Sequence, residues 1–218
     1  MARQKRPPTA IPSDDAVRAL LERHRCPVPF HAVRTRFLGN IASPSLAASP
    51  LQDVKQLWGG ELPVFDGEDE LNEFMTVLVM GLWNGLTRHQ ERGHPFRLAR
   101  FDTDATAAGL ARLALVRREE LDGFVDGLFG PHRELDLPER ARRALDELAR
   151  IRALADGAHG LATEPVGADP GADIAAVIAQ FRELTRIAEH EMHETVLACT
   201  RARRQALASA MVARPTLH

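Results

Sequence analysis

Residues 66–93 read DGEDELNEFMTVLVMGLWNGLTRHQERG, and their spacing decides the fold class. Leu71, Phe74, Met75, Leu78, Val79, Leu82 and Leu86 recur at i, i+3, i+4, i+7 and i+8, the period of an α-helix. Glu68, Asp69 and Glu70 stand at the start of the run, where the helix dipole favours negative charge. Val77 and Met80 fall off the stripe, so the middle of the segment is apolar nearly all round. That pattern predicts a central, buried helix.

The same period extends outward in both directions. SDDAVRALLERHR predicts a helix capped by Ser13, with Asp14 and Asp15 in its first turn, and FHAVRTRFLGNIASP a second, with Val33, Phe37, Leu38 and Ile41 on one face. SPLQDVKQLWGG predicts a third, with Ser49 as cap and Pro50 at the first helical position. Further on, GLARLALVRREELDGFVDGLFG reads as a helix with room for a kink near Arg117, and LPERARRALDELARIRALADG as another. No segment alternates with period two for long enough to predict a strand. The expected fold is all-α, a compact helical bundle with a long C-terminal helix. Its expected organisation is a disordered tail over 1–13, a helical domain over 14–156, a Gly/Pro-rich linker over 157–172 and the last helix within 173–218.

Composition excludes several classes of function. The chain has 218 residues and a net charge of −2, so no global field draws it to nucleic acid or an anionic membrane. It has no tyrosine, which argues against base-stacking platforms. Cys26 and Cys199 are the only cysteines and form no CxxC, so the expected setting is a reducing cytoplasm. The basic, proline-rich start has no apolar run after it and is not expected to be a signal peptide. No stretch approaches 18 apolar residues, so no membrane span is expected.

Residues 186–199, RIAEHEMHETVLAC, crowd two histidines and three glutamates into six positions. His190 and His193 share a helix face with Glu194 and are candidate metal ligands. The spacing is neither HExxH nor the ExxH of carboxylate-bridged bundles. On a helical wheel Ile174, Val177, Phe181, Thr185, Ala188, Met192, Thr195 and Cys199 fall on the other side. A solvated face is therefore the expected place for the histidines. Asp122 and Asp126, one turn apart, make a carboxylate pair that suits acid–base work or a plain solvated helix edge. No residue set carries a complete catalytic constellation, and no cofactor is expected.

Two glycine pairs sit inside predicted helices: Gly81 with Gly85, and Gly123 with Gly127. Glycine costs roughly 0.8–1 kcal/mol in a helix interior relative to alanine. Spending that twice in each of two helices predicts close backbone approach, within the chain or across a dimer.

RTRFLGNIASP, LWGGELPVFDGEDELNEFMTVLVMGLWNGL and ELDGFVDGLFG together resemble the YecA/YgfB-like family of small bacterial proteins. The matching positions are Phe37, Leu38, Gly39, Trp58, Phe65, Trp83, Asn84, Gly123 and Phe124, within about residues 30–130. The resemblance implies an all-helical fold, a bacterial cytoplasmic setting and no established catalytic chemistry. Many such proteins end in a Cys-rich zinc-binding tail, and Cys199 alone follows Cys26 here, so no role of that zinc module is carried over.

These readings lead to a non-enzymatic protein-interaction or regulatory adaptor, with a homodimer as the expected assembly. The alternative is a metal-binding protein or metal-dependent enzyme using the His190/His193/Glu194 face. An unbroken helix over 173–211 spans about 58 Å, whereas a compact chain of this size is about 45 Å across. Its heptad stripe through Ile174, Val177, Phe181, Leu184 and Ala188 meets Glu191 next. The first half is therefore expected to dock and the second half to be freer.

Overall fold

The computed structural model describes residues 12–132, 134–163 and 173–212. The helices are α1 (Asp14–Arg23), α2 (Phe30–Ala42), α3 (Pro50–Gln56), α4 (Glu68–Met75), α5 (Asn84–Leu86), α6 (Ala107–Phe129), α7 (Glu139–Thr163) and α8 (Ile174–Val212). A π-helical stretch, Thr76–Trp83, joins α4 to α5, and a 3-10 turn, Thr87–Gln90, follows. Among the described residues there is no strand, and the fold is an all-α bundle with a long last helix. Local chemistry sets the boundaries. The Ser13 hydroxyl accepts from the Ala16 amide at 3.2 Å, and the Thr106 hydroxyl accepts from the Gly109 amide at 3.0 Å. Ser49 caps α3 with Pro50 in its first turn.

The central helix is α2, not residues 66–93. Ten consecutive-face and flanking positions of α2 are buried, among them Val33, Phe37, Leu38 and Ile41, because α1, α3, the π stretch, α6 and α8 all pack around it. Residues 68–90 instead lie on the side of the bundle, with Met80 52% exposed. Their buried apolar side chains are Phe74, Leu78, Leu82 and Leu86, one every four residues. In a regular α-helix a four-residue step drifts about 40° around the axis. The wider π turns carry the stripe back onto the bundle, so one narrow face is buried and the rest of the apolar surface is not.

Gly123 and Gly127 of α6, together with Gly39 of α2, form the closest helix crossing. A Cβ on Gly127 would land on the Arg36 carbonyl oxygen and 2.9 Å from the Asn40 amide nitrogen. One on Gly123 would lie 2.6 Å from the Ala32 carbonyl oxygen, and one on Gly39 would strike the Phe124 carbonyl oxygen and come within 2.7 Å of the Leu128 amide nitrogen. The close approach is internal and backbone to backbone. Gly81 is buried differently: its neighbour is the ring of Pro12, in the segment before α1, rather than another helix. Gly85 is half-buried.

Helix α6 is continuous past Arg117, whose side chain is buried. Residues 157–163, expected as linker, are the last turns of α7. They stay helical because Ala155, Ala158 and Ala162 pack into a second apolar cluster with Leu110, Leu113, Ile178 and Phe181. The start of α6 thus meets the end of α7 and the start of α8, so α7 runs antiparallel to both while α6 and α8 run parallel. The expected tail over 1–11 and the remaining linker positions, 164–172, lie outside the described residues. No described helix is long and apolar enough to cross a membrane.

Candidate functional site

The His/Glu segment of α8 does not face water as a unit. His190 is exposed, but Glu189 and His193 are buried. The helical wheel places the apolar side of α8 correctly, with Ala188, Met192, Thr195 and Cys199 all buried. It could not show that the 3-10 turn and the extended segment around residues 96–101 fold over the opposite side. Phe96 and Leu98 of that segment are buried, and the ring of His89 meets Phe96 edge-on at 5.3 Å.

Two buried carboxylates hold this extended segment in place of a sheet partner. Glu189 accepts from the Leu98 amide at 3.0 Å and from Arg97 at 2.6 Å, with Arg100 at 3.4 Å. Glu120 of α6 accepts from the Ala99 amide at 2.7 Å and from the Arg117 guanidinium. Arg117 donates in turn to the Ala99 carbonyl at 2.6 Å and to the Thr185 hydroxyl at 3.0 Å. One short stretch of backbone is thereby tied to both α6 and α8. Burial pushes the Glu120 carboxyl up, against the downward pull of Arg117 and the Ala99 amide.

The other candidate groups are engaged separately. Glu194 and Glu191 both pair with Arg140 of α7, at 3.3 and 2.5 Å. Glu194 is therefore engaged by α7. Among the described residues no three His, Cys, Asp or Glu side chains are grouped to hold a metal ion. Burial pushes the His193 imidazole down, toward the neutral form, against an opposing pull from the Arg92 backbone and Glu194. Asp122 pairs with Arg152 at 2.9 Å and Asp126 with Arg36 at 3.3 Å, so the two carboxylates serve different neighbours.

Asp53 is a buried acid that the sequence reading passed over. One of its oxygens accepts from Arg36 Nε at 2.9 Å, while the other has no partner among the described residues. Burial pushes its carboxyl up to about 6, with Arg36 pulling the other way and Asp126 adding to the rise. A folded value above the unfolded one means that the folded state holds this proton more tightly. The stability this contributes is present below about pH 4 and is lost as pH rises through about 6, a change on the order of 2–3 kcal/mol. Asp53→Asn cannot ionise. Relative to the parent chain it should therefore gain stability between pH 4 and pH 7.5 in urea unfolding. An equal difference at both pH values would show that Asp53 is not strained by ionisation.

A readable signal for Arg117 and Glu120 was present in the sequence. Leu113, Arg117, Glu120 and Phe124 follow i, i+4, i+7, i+11, which places a charged pair within the apolar stripe of α6. Phe96–Phe101 carried no such signal, because an extended segment bonded to side chains has no period of its own.

The residues behind the family resemblance converge in the core. Phe37, Leu38 and Phe124 are fully buried, and Gly39 and Gly123 lie in the α2–α6 crossing. Trp83 donates to Asn40 Oδ1 at 3.1 Å, and Trp58 donates to the His24 carbonyl at 2.9 Å. Trp58 and Phe65 both pack on Phe74, with ring centres 5.4 and 5.0 Å away. Asn84 stands apart from them, exposed. Compared with known proteins, the chain matches no family model, no curated protein and no solved structure.

Proposed function

We propose that the protein is a non-enzymatic interaction protein, of the YecA/YgfB-like kind, that receives its partner on the projecting end of α8. The observation that carries this reading is where α8 leaves its own bundle. Contrary to the expected weakening at Glu191, the helix stays docked through Cys199 and Thr200, because Met192 and Val196 extend the seam while Glu191 pairs with Arg140. The last anchor among the described residues is Arg203, which donates to the Ser43 carbonyl at 3.1 Å. Residues 204–210 are exposed, including Leu207 at 46%. The span 204–212 adds roughly 13 Å of helix. A piece of helix that short gains little from propensity and depends on packing for its order.

A second copy of the chain is the proposed partner. The buried charged groups support a binding role, since Glu120, Glu189 and Arg117 are spent on holding the fold together. Removing α8 entirely is a poor test, because it would strip Ala188, Met192, Val196 and Cys199 from the core. The substitution Leu207→Glu touches only the projecting end. Light scattering should report a dimer for the parent chain and a monomer for the variant, with equal thermal stability of the monomeric unit. A monomeric parent chain removes the assembly.

A further inference from the structure

A cleft of about 200 Å³ lies where residues 100–103 cross α6 and α8. Its wall contains Arg100, Arg117, Arg182 and Arg186, two threonines and, among the described residues, no carboxylate. The acids that neutralise three of these arginines stand outside that wall: Glu120 with Arg117, Glu189 with Arg100, and Glu183 with Arg186. Arg182 has no ion pair among the described residues, and it is exposed. Arg117 is held rigid at the back by the Ala99 carbonyl, Thr185 and Glu120, so its charge is fixed in place rather than carried on a mobile side chain. Phe101 and Leu113 give the cleft an apolar side, and the Arg112 and Arg117 guanidinium groups lie 5.1 and 5.8 Å from the Phe101 ring centre.

From this arrangement we infer that the cleft binds a phosphate group, with Arg182 and Arg186 as its principal charged donors and Arg117 as a positioned rear charge. Three features lead to that ligand class. Guanidinium groups present paired N–H donors that match the oxygens of a phosphate. Several of them converge on one small space, which suits a dianion better than a single carboxylate. Thr103 lines the same wall, whereas the Thr185 hydroxyl is committed, accepting from Arg117 and donating to the Phe181 carbonyl, and so helps fix the rear charge. The apolar side formed by Phe101 and Leu113 offers contact to an organic group attached to the phosphate. This site is separate from the projecting end of α8 and does not depend on the proposed assembly.

Isothermal titration of the full chain at near-physiological ionic strength tests the assignment, with inorganic phosphate and phenyl phosphate as probes and phenol as the uncharged control. The expected result is saturable 1:1 binding of a phosphate probe and none of phenol. Tighter binding of phenyl phosphate identifies a phosphate ester as the ligand; equal binding identifies free phosphate. Arg182→Ala and Arg186→Ala should each weaken binding on the order of tenfold, the scale of one charge-assisted hydrogen bond. Both side chains are exposed, so folding should be unaffected, and an unchanged circular dichroism melt confirms it. Arg142→Ala with Arg143→Ala, on the exposed side of α7, should leave the affinity unchanged. The proposal is overturned if neither probe gives a saturable isotherm, or if the cleft variants bind as the parent chain does. It is equally overturned if the α7 variant loses as much affinity as they do.

Discussion

Replacing Gly127 with alanine should destabilise the protein by about 3 kcal/mol, at the upper end of the cost of overpacking. The added methyl group meets backbone on the facing helix: the Arg36 carbonyl and the Asn40 amide. Neither group can rotate away as a side chain would. Relief requires α2 and α6 to separate, and that separation loosens Phe37, Leu38 and Phe124 at the centre of the core. Gly157→Ala is the matched control. It lies in α7 with nothing among the described residues within 4 Å of the added carbon, so it should be neutral or raise stability by roughly 0.5–1 kcal/mol through helix propensity. Urea unfolding of both variants decides the point. Similar stability for the two would mean that the crossing has room that the geometry denies.

Glu120→Ala should cost about 3–5 kcal/mol, the usual scale for breaking a buried ion pair. The substitution leaves the Arg117 guanidinium buried without its carboxylate and the Ala99 amide without an acceptor. A second change, Arg117→Met, should return part of that loss, because it removes the uncompensated charge while filling similar volume. The two single losses would then sum to more than the double variant shows. Strict additivity would indicate that the two side chains do not act as a unit. Amide exchange gives a local readout: in Glu120→Ala, protection at Ala99 should fall while protection in α2 changes only by the global loss.

Both predictions rest on contacts whose legibility in the sequence differs. Gly123 and Gly127 signalled a close crossing because two glycines one turn apart conflict with helix propensity and need a reason. Nothing local named α2, or Gly39, as the other side. The charge of Arg117 inside the segment suggests a place for a kink, while nothing local names Glu120 as its partner. The structure resolves the conflict by satisfying both charges, chiefly with backbone from residues 96–101.

The sequence by itself determined that this chain is helical, roughly where its helices begin, and which face of most of them turns inward. Ser13, Ser49–Pro50 and the stripes of α1, α2, α7 and α8 act through caps and periodicity, which are properties of a few adjacent residues. Only the tertiary structure decided which helix lies at the centre. It also decided that residues 76–83 widen into π turns, and that the second face of α8 is covered at Glu189 and His193. Those outcomes depend on what packs against a surface after the chain has closed on itself. A periodic pattern identifies an apolar face, whereas a polar face is buried or exposed according to partners far away in sequence, as the Leu98 amide is to Glu189.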